Sequence, residues 1–495
     1  MNIADILENS ARFFPDRTAI IEDGNIYTYS EFNSCAARIA SFLSDNGVEP
    51  GDYIGLCAPN SYDWLALYYG ALKCGAVAVT FDHLLTRDEF KKIFLDCRPR
   101  ILFTTGSRLP DLDYCKSDFR PDLIITDEGE NSVKSIAAKG NPSFKTVDRD
   151  RHDIAAILYT GGTTGIPKGA MLSHENIMCA INNVVYHERS SENDLALCFL
   201  PLNHVFGQMH VVNSTIFSSG GLVIQSSFNL DMALDAIERY KVTKFYAVPT
   251  VYIRMLELPD IKERIKSVTY CFSAATSMAA EIVREWKDIT GLNIHECYGM
   301  TESASIVTFN HYYRHVIGSV GTPANAVEIR IMDMQGNMLK QGEKGEICLR
   351  APNIFKGYLN NPVETKNAFR GHWFRSGDIG IVDKDGYLFI VDRLKDMIIT
   401  GGENVYPREI EEILYAIPEV RECAVVGLPD REYGERVTAF IALNEGCSLD
   451  PSGIRQYLKK YLAGYKVPKD YIAVEEIPKS AAGKILKKEL KKTAF

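Results

Sequence analysis

The residues best equipped for chemistry form one uninterrupted run, Tyr159-Thr160-Gly161-Gly162-Thr163-Thr164-Gly165-Ile166-Pro167-Lys168-Gly169. Its four glycines, three threonines and single lysine offer a polyphosphate many backbone N–H groups, several hydroxyls and one cation. Glycine is needed wherever a side chain would hold the backbone away from phosphate oxygens. Ile154 to Leu158 before the run reads as a buried strand, and the helix-like Ser173-His174-Glu175-Asn176-Ile177 follows soon after. In the common nucleotide loop, Gly-x-x-x-x-Gly-Lys is followed by Ser or Thr; here Lys168 is followed by Gly169, so this is a phosphate loop of another kind. Taken alone, the composition would also suit a solvated turn.

A second cluster is His295-Glu296-Cys297-Tyr298-Gly299-Met300-Thr301-Glu302-Ser303. Tyr298 offers a ring to stack on adenine, Gly299 permits close approach, and Thr301 and Glu302 supply hard oxygens for Mg²⁺. Upstream, Cys271-Phe272-Ser273-Ala274-Ala275-Thr276 ends a probable strand in small residues. Such a strand end lets a flat ring lie against the backbone, where sheet ligands commonly bind, though close strand–helix packing explains it equally well.

The two runs, Thr-Gly-Gly-Thr-Thr-Gly-x-Pro-Lys-Gly and Tyr-Gly-x-Thr-Glu, resemble in sequence, order and offset the nucleotide motifs of the adenylate-forming enzymes: acyl-CoA synthetases, firefly luciferases and peptide-synthetase adenylation domains. The resemblance implies that Thr160 to Gly165 and Lys168 hold the phosphates of ATP. Thr163 and Glu302 would hold Mg²⁺, and Ala274, Ala275, Cys297, Tyr298, Gly299, Met300 and Thr301 would surround the nucleoside. Trp373-Phe374-Arg375-Ser376-Gly377-Asp378 and Phe389-Ile390-Val391-Asp392-Arg393 complete that site in the family. There Asp378 accepts from both ribose hydroxyls, as a two-oxygen carboxylate suits a vicinal diol, and Arg393 donates to the ribose. Ile399-Thr400-Gly401-Gly402-Glu403-Asn404-Val405-Tyr406-Pro407 resembles a signature of many acyl-CoA ligases, with Gly401 and Gly402 lining the pantetheine passage. Ile399 stands where some relatives carry lysine. Pro478-Lys479-Ser480-Ala481-Ala482-Gly483-Lys484 matches the terminal lysine motif, in which Lys484 bridges the acyl carboxylate and the α-phosphate as charge builds.

The implied reaction is that of an ATP-dependent acyl-CoA ligase. A carboxylic acid, of fatty-acid type, becomes an acyl-adenylate with release of pyrophosphate, and the thiol of coenzyme A then displaces AMP. Leu200-Pro201-Leu202-Asn203-His204-Val205-Phe206-Gly207 resembles the acid-binding segment of acyl- and aryl-CoA ligases, although Asn203 replaces a common aromatic residue. His204 would lie near the carboxyl group, with Phe206, Gly207, Val248 and Met300 around the acyl chain. Amino-acid-activating relatives place an aspartate here; none stands between Cys198 and Gly207, and an uncharged pocket disfavours an ammonium. Two other readings stay open: a stand-alone ligase that loads the phosphopantetheine of a carrier protein, and a nucleotide-binding module without catalysis.

These residues need a scaffold, and its elements are legible. From residue 1 to 150, helix and strand alternate. Ser30 is placed to cap a helix, strands run from Tyr53 to Ala58 and Ala76 to Thr80, and Thr86 with Glu89 matches a capping box. Alternation resumes after the loop with strands Leu195 to Leu200, Leu222 to Gln225 and Lys244 to Val248 and helix Leu230 to Tyr240. The expected class is α/β: two parallel-rich sheets in one large body, a small antiparallel β region from about Val327, and a small mobile α+β unit. The family's divisions place the first body at 1–392, a hinge at 393–395 containing Lys395, and the mobile unit at 396–495. In that last unit Pro407 opens a helix through Tyr415, strands run near Ala424 and Thr438, and a helix covers Ile454 to Tyr461.

The chain has 495 residues, 46% of them hydrophobic and 24% charged, ordinary for a globular protein of more than one domain. A net charge of −9 gives nucleic acid no electrostatic footprint. Twelve cysteines without a Cys-x-x-Cys pair, no signal peptide and no apolar run of about 20 residues predict a cytoplasmic protein without disulfides or structural zinc.

Overall fold

Two seven-stranded sheets carry the large body. The first runs Ile294–Glu296, Tyr270–Ser273, Lys244–Ala247, Leu195–Cys198, Gly221–Ile224, Thr18–Glu22 and Asn25–Thr28; all neighbours are parallel except the final pair. The second runs Gly357–Tyr358, Lys168–Ser173, Ile154–Thr160, Val77–Thr80, Tyr53–Cys57, Ile101–Thr104 and Leu123–Thr126. It is parallel from Ile154–Thr160 onward and antiparallel before it. The computed structural model of the chain describes residues 1–160, 167–276, 278–479 and 485–493.

Local chemistry explains most element boundaries. Strands such as Val77–Thr80 and Ile101–Thr104 are buried on both faces, as parallel strands under helices must be. Thr86 and Glu89 form the expected reciprocal cap, and helices Leu230–Tyr240 and Pro407–Tyr415 span the anticipated residues. One expectation is corrected. The helix assigned to a Ser30 cap starts at Tyr29 under Thr28, because Glu31 stands three residues beyond Thr28 and returns its hydrogen bond to the backbone, which completes the box. The glycine-rich run joins two antiparallel strands, pairing Thr160 with Lys168 and Tyr159 with Gly169. Lys168 therefore sits on a strand, and helix His174–Glu188 begins only after Ser173.

A five-stranded sheet built on Trp373–Val382, flanked by Gly345–Arg350 and Leu388–Arg393, forms the small β region. The C-terminal sheet joins Glu403–Val405, Ile398–Thr400, Gly434–Leu443 and Val420–Asp430, with Asp470–Ala473 parallel to Gly434–Leu443. The main apolar core contains residues from Ile3 to Leu388, whereas the C-terminal clusters begin at Ile398 and Ala424.

One turn ties the β region to the large body. Leu388 donates to the Gly321 carbonyl at 2.8 Å and accepts from Val320 at 3.0 Å, which fixes the start of the strand ending in Arg393. Gly321 has φ +90°, and a Cβ there would sit 1.9 Å from the Phe309 carbonyl oxygen. Left-handed backbone and overpacking each cost about 1–3 kcal/mol. Gly321→Ala should therefore lower the thermal midpoint by several degrees; a wild-type melting curve would contradict this account of the turn.

Candidate active site

The first sheet's edge strand ends at Glu296, and Tyr298 follows with its N–H held by Thr308 Oγ1 at 3.0 Å. The Tyr298 hydroxyl donates to Asp378 Oδ2 at 2.6 Å. Asp378 pairs in register with Arg393 on the next strand, whose Nε lies 3.4 Å from Oδ1. Tyr298 and Asp378 are 8% and 7% exposed, so this carboxylate is satisfied by a donor from each of two layers. Burial first, and Asp378 second, push the Tyr298 phenol well up, which keeps it the donor. Lys395 lies exposed two residues beyond Arg393; desolvation and the Arg393 charge pull it below its ordinary value, against Asp396 and Asp378.

Thr301 and Glu302 occupy the short helical turn Thr301–Ser303. Tyr358 donates to Glu302 Oε1 at 2.7 Å, and Tyr358 lies on the strand beside Lys168–Ser173. Lys168 pairs with Glu364 and stands 5.2 Å above the Tyr358 ring. These contacts bring the edge of the glycine-rich hairpin to the Tyr298–Glu302 segment. The Lys168–Glu364 pair is 19% and 40% exposed and so worth at most about 1 kcal/mol. Gly299 is obligatory, since a Cβ would fall 1.9 Å from the Ser305 carbonyl oxygen across the pairing of Gly299 and Met300 with Ile306 and Ser305. Thr160 Oγ1 donates to its strand partner, the Lys168 carbonyl, at 3.4 Å. Ala274 and Ala275 follow the end of strand Tyr270–Ser273, and Ala275 takes φ +73°, a conformation costing an L-residue about 1–2 kcal/mol. Cys297 and Met300 are half-buried against the main core.

In the segment that resembles an acid-binding stretch, His204 Nδ1 accepts from the Phe206 N–H at 3.2 Å. Phe206–Asn213 then forms a π-helix, a rare element that tends to mark functional sites. Gly207 lets it approach closely, since a Cβ would meet the Pro201 carbonyl oxygen at 2.5 Å. Phe206 and His210 both pack on Phe272, at 5.7 and 4.3 Å between ring centroids. Buried Val248 precedes helix Pro249–Leu256.

Behind this wall lies a cluster that sequence reasoning missed. Glu188 Oε1 lies 2.6 Å from His210 Nε2, while Oε2 receives the Tyr246 hydroxyl at 2.5 Å and Lys244 Nζ at 3.3 Å. Burial raises the Glu188 carboxyl, but Lys244 and His210 outweigh it and hold the group below its ordinary value. Removing one partner of a buried pair costs about 3–5 kcal/mol. The only sequence signal was charge at the ends of two apolar elements, which does not reveal that they meet.

Gly401 and Gly402, at φ +60° and +85°, make the two-residue turn of the hairpin pairing Thr400 with Glu403, a conformation that suits Gly-Gly. Ile399, on the same hairpin, is 50% exposed. Ile390 offers its carbonyl to Arg408 at 2.7 Å. Gly161, Gly162, Thr163, Thr164, Gly165 and Lys484 lie outside the described residues. Among the described residues no group of three metal-binding side chains occurs. Mg²⁺ fits the site nonetheless, because it takes only one or two carboxylates beside phosphate and water oxygens, and Glu302 keeps one oxygen clear of its bond to Tyr358.

Two family models match the chain: AMP-binding enzyme over residues 7–359 and AMP-binding enzyme C-terminal domain over residues 409–484. A long-chain-fatty-acid–CoA ligase of Bacillus subtilis (strain 168) is 32% identical over 99% of this chain and 94% of its own. A feruloyl-CoA synthase of an Amycolatopsis species is 34% identical over 97% of both. ATP-bound MatB from Rhodopseudomonas palustris superposes with a TM-score of 0.93 at 34% identity, covering 100% of this chain and 99% of that one. The apo form of the same protein, at the same identity and coverage, gives 0.82.

Glu296, two residues before Tyr298, is 5% exposed, and its Oε2 has no hydrogen-bond partner among the described residues. Burial pushes its carboxyl up to about 7, against Arg408. A carboxyl that binds its proton more tightly in the fold stabilises below its unfolded value and loses that contribution as pH rises through its folded one. Wild type should therefore lose stability relative to Glu296→Gln between about pH 4.5 and 7.5. Thermal melts of both proteins across this window measure it, and a constant difference would contradict the shift.

Proposed function

This chain belongs to the AMP-binding enzyme family and is an AMP-forming acid–thiol ligase using ATP and coenzyme A, and we propose that its acid is a fatty or other plain carboxylic acid with an uncharged tail. An oxygen of the substrate carboxylate attacks the α-phosphorus of ATP. The bond from that phosphorus to the bridging oxygen breaks, and pyrophosphate leaves with the electron pair. In the second half the coenzyme A sulfur, its proton lost, attacks the acyl carbonyl carbon, and AMP departs as the C–O bond breaks. No protein nucleophile takes part; positioning and charge stabilisation carry the rate.

The observation that carries the reading is the convergence of Tyr298, Asp378 and Arg393 beside Glu302, Tyr358 and Lys168. We assign Asp378 and Arg393 to the ribose, Tyr298 to the adenine, and Thr160 to Gly165 with Lys168 to the phosphates. Glu302 and Thr163 would hold Mg²⁺, which when bound neutralises phosphate charge. Lys484 would meet the charge forming on the α-phosphate, and Gly401 and Gly402 would line the pantetheine path. We further assign residues 1–392 and 396–495 to two bodies that turn about 393–395. Separate apolar cores on either side of the joint support this.

The uncharged tail rests on Glu188. It is the buried carboxylate behind the Phe206–Phe272 wall, and Lys244, His210 and Tyr246 already occupy it. It has nothing to spare for a substrate ammonium, whose burial unpaired would cost several kcal/mol. Free cysteines throughout the described residues suit a reducing compartment, and we place the enzyme in the cytoplasm.

Acid-dependent ATP–pyrophosphate exchange over a panel of fatty, aryl and amino acids, followed by thioester assays with coenzyme A and with a carrier protein, tests the reading. Plain acids should turn over and amino acids should not; activation of amino acids alone, or transfer to carrier alone, would overturn it. Lys484→Ala should lower exchange by roughly 10²–10³ while sparing thioester formation from supplied acyl-adenylate. Equal loss in both halves would remove Lys484 from the first.

A further inference from the structure

The seam between the two bodies holds a contact that none of the assigned roles uses. Arg408 is the second residue of helix Pro407–Tyr415, in the C-terminal unit. Its main-chain N–H donates to Asp392 Oδ2 at 2.9 Å and its Nη1 to the Ile390 carbonyl at 2.7 Å, while Nε reaches Glu412 at 3.1 Å. The side chain is 12% exposed. Tyr406, at the N-cap, provides no capping side chain, so the carboxylate of Asp392 serves the positive end of this helix from across the joint. The other oxygen of Asp392 accepts from the Arg393 N–H at 2.7 Å. Glu296, with its unpartnered buried oxygen, feels Arg408 as its opposing charge. Lys344 of the large body lies 5.2 Å from the Tyr406 ring across the same joint.

A rotation about 393–395 would part Arg408 from Ile390 and Asp392 together. The arrangement that holds them superposes more closely on the relative's ATP-bound form than on its apo form. Charge-assisted bonds of this kind are strong when dry, but water replaces them on opening, so they bias the arrangement without locking it. Resting on the two-step reaction proposed above, we propose that Arg408 is a positioning residue, a latch that pins the C-terminal unit for adenylate formation by gripping the Ile390 carbonyl and Asp392, and that releases for thioester formation. The latch adjoins the proposed nucleotide site, since Asp392 precedes Arg393.

Arg408→Ala is a clean test, because alanine keeps the helix and the N–H that meets Asp392 and removes only the guanidinium. Pyrophosphate exchange should fall about tenfold or more, thioester formation from supplied acyl-adenylate should stay within about twofold, and Arg408→Lys should recover part of the exchange; tenfold corresponds to about 1.4 kcal/mol of bias. Tryptic cleavage after Arg393 or Lys395 in the presence of ATP, read on the full chain, should be at least about threefold faster in Arg408→Ala. This second readout needs no turnover and reports on the joint itself. Equal loss in both half-reactions, or unchanged exchange with unchanged cleavage, would overturn the latch. If Arg408→Ala does not fold, Arg408→Lys carries the same comparison with an intermediate effect expected. Wild type inert in exchange toward every acid would instead bring down the underlying reaction.

Discussion

A carboxylate withdrawn from water must be paired, and the pairing of Asp378 is the constraint on which the site depends. Its two oxygens are reached by Tyr298, at the end of the first large sheet, and by Arg393, on the neighbouring strand of the small β region. Arg393 balances the charge from within the β region, and Tyr298 supplies the other oxygen with a donor from the first sheet, whose loss would leave a buried acceptor unmet at a cost of about 1–3 kcal/mol. The sheet end and the β region are therefore held at one separation. The glycines at 299 and 321 serve the same end, letting backbones meet at distances that a Cβ would forbid.

That rigid corner suits a reaction in which the protein contributes no nucleophile. A triphosphate and a carboxylate react when they are aligned and when charge forming on the α-phosphate meets a cation, and in the proposed division the large body holds the reactants and the small body brings the cation. The seam reflects this division. Tyr298, Asp378 and Glu302 are anchored within the large body, whereas Arg408 reaches over from a helix with its own core. The proposed acyl side follows the same logic of prior neutralisation. Glu188 is paired with its neighbours, so the wall of Phe206, His210 and Phe272 keeps that charge behind its rings.

Much of this was legible in the sequence where the signal is local. Pro407 announces a helix start, and alternating strand and helix announce parallel sheets. Local signals failed where two candidates competed at close range. Thr28 won the cap from Ser30 through a glutamate three residues on, and Lys168 to Ser173 entered the sheet because Gly169 and Ala170 pack against Tyr159 and Leu158 in register. What the sequence could not reveal is pairing across layers. Glu188 meets Lys244 over 56 residues, and Asp392 meets the backbone of Arg408 over 16, with no periodicity to link them. Tyr298 and Asp378, 80 residues apart, were assigned to one site by resemblance alone, and only their contact supplies a physical reason.

The central claim is that a substrate carboxylate oxygen becomes bonded to the α-phosphorus. Turnover of an acid labelled with ¹⁸O in both carboxyl oxygens, with AMP and pyrophosphate analysed by mass, tests this most directly. The account predicts one labelled oxygen in each AMP formed and none in pyrophosphate. Unlabelled AMP, or label in pyrophosphate, would contradict it.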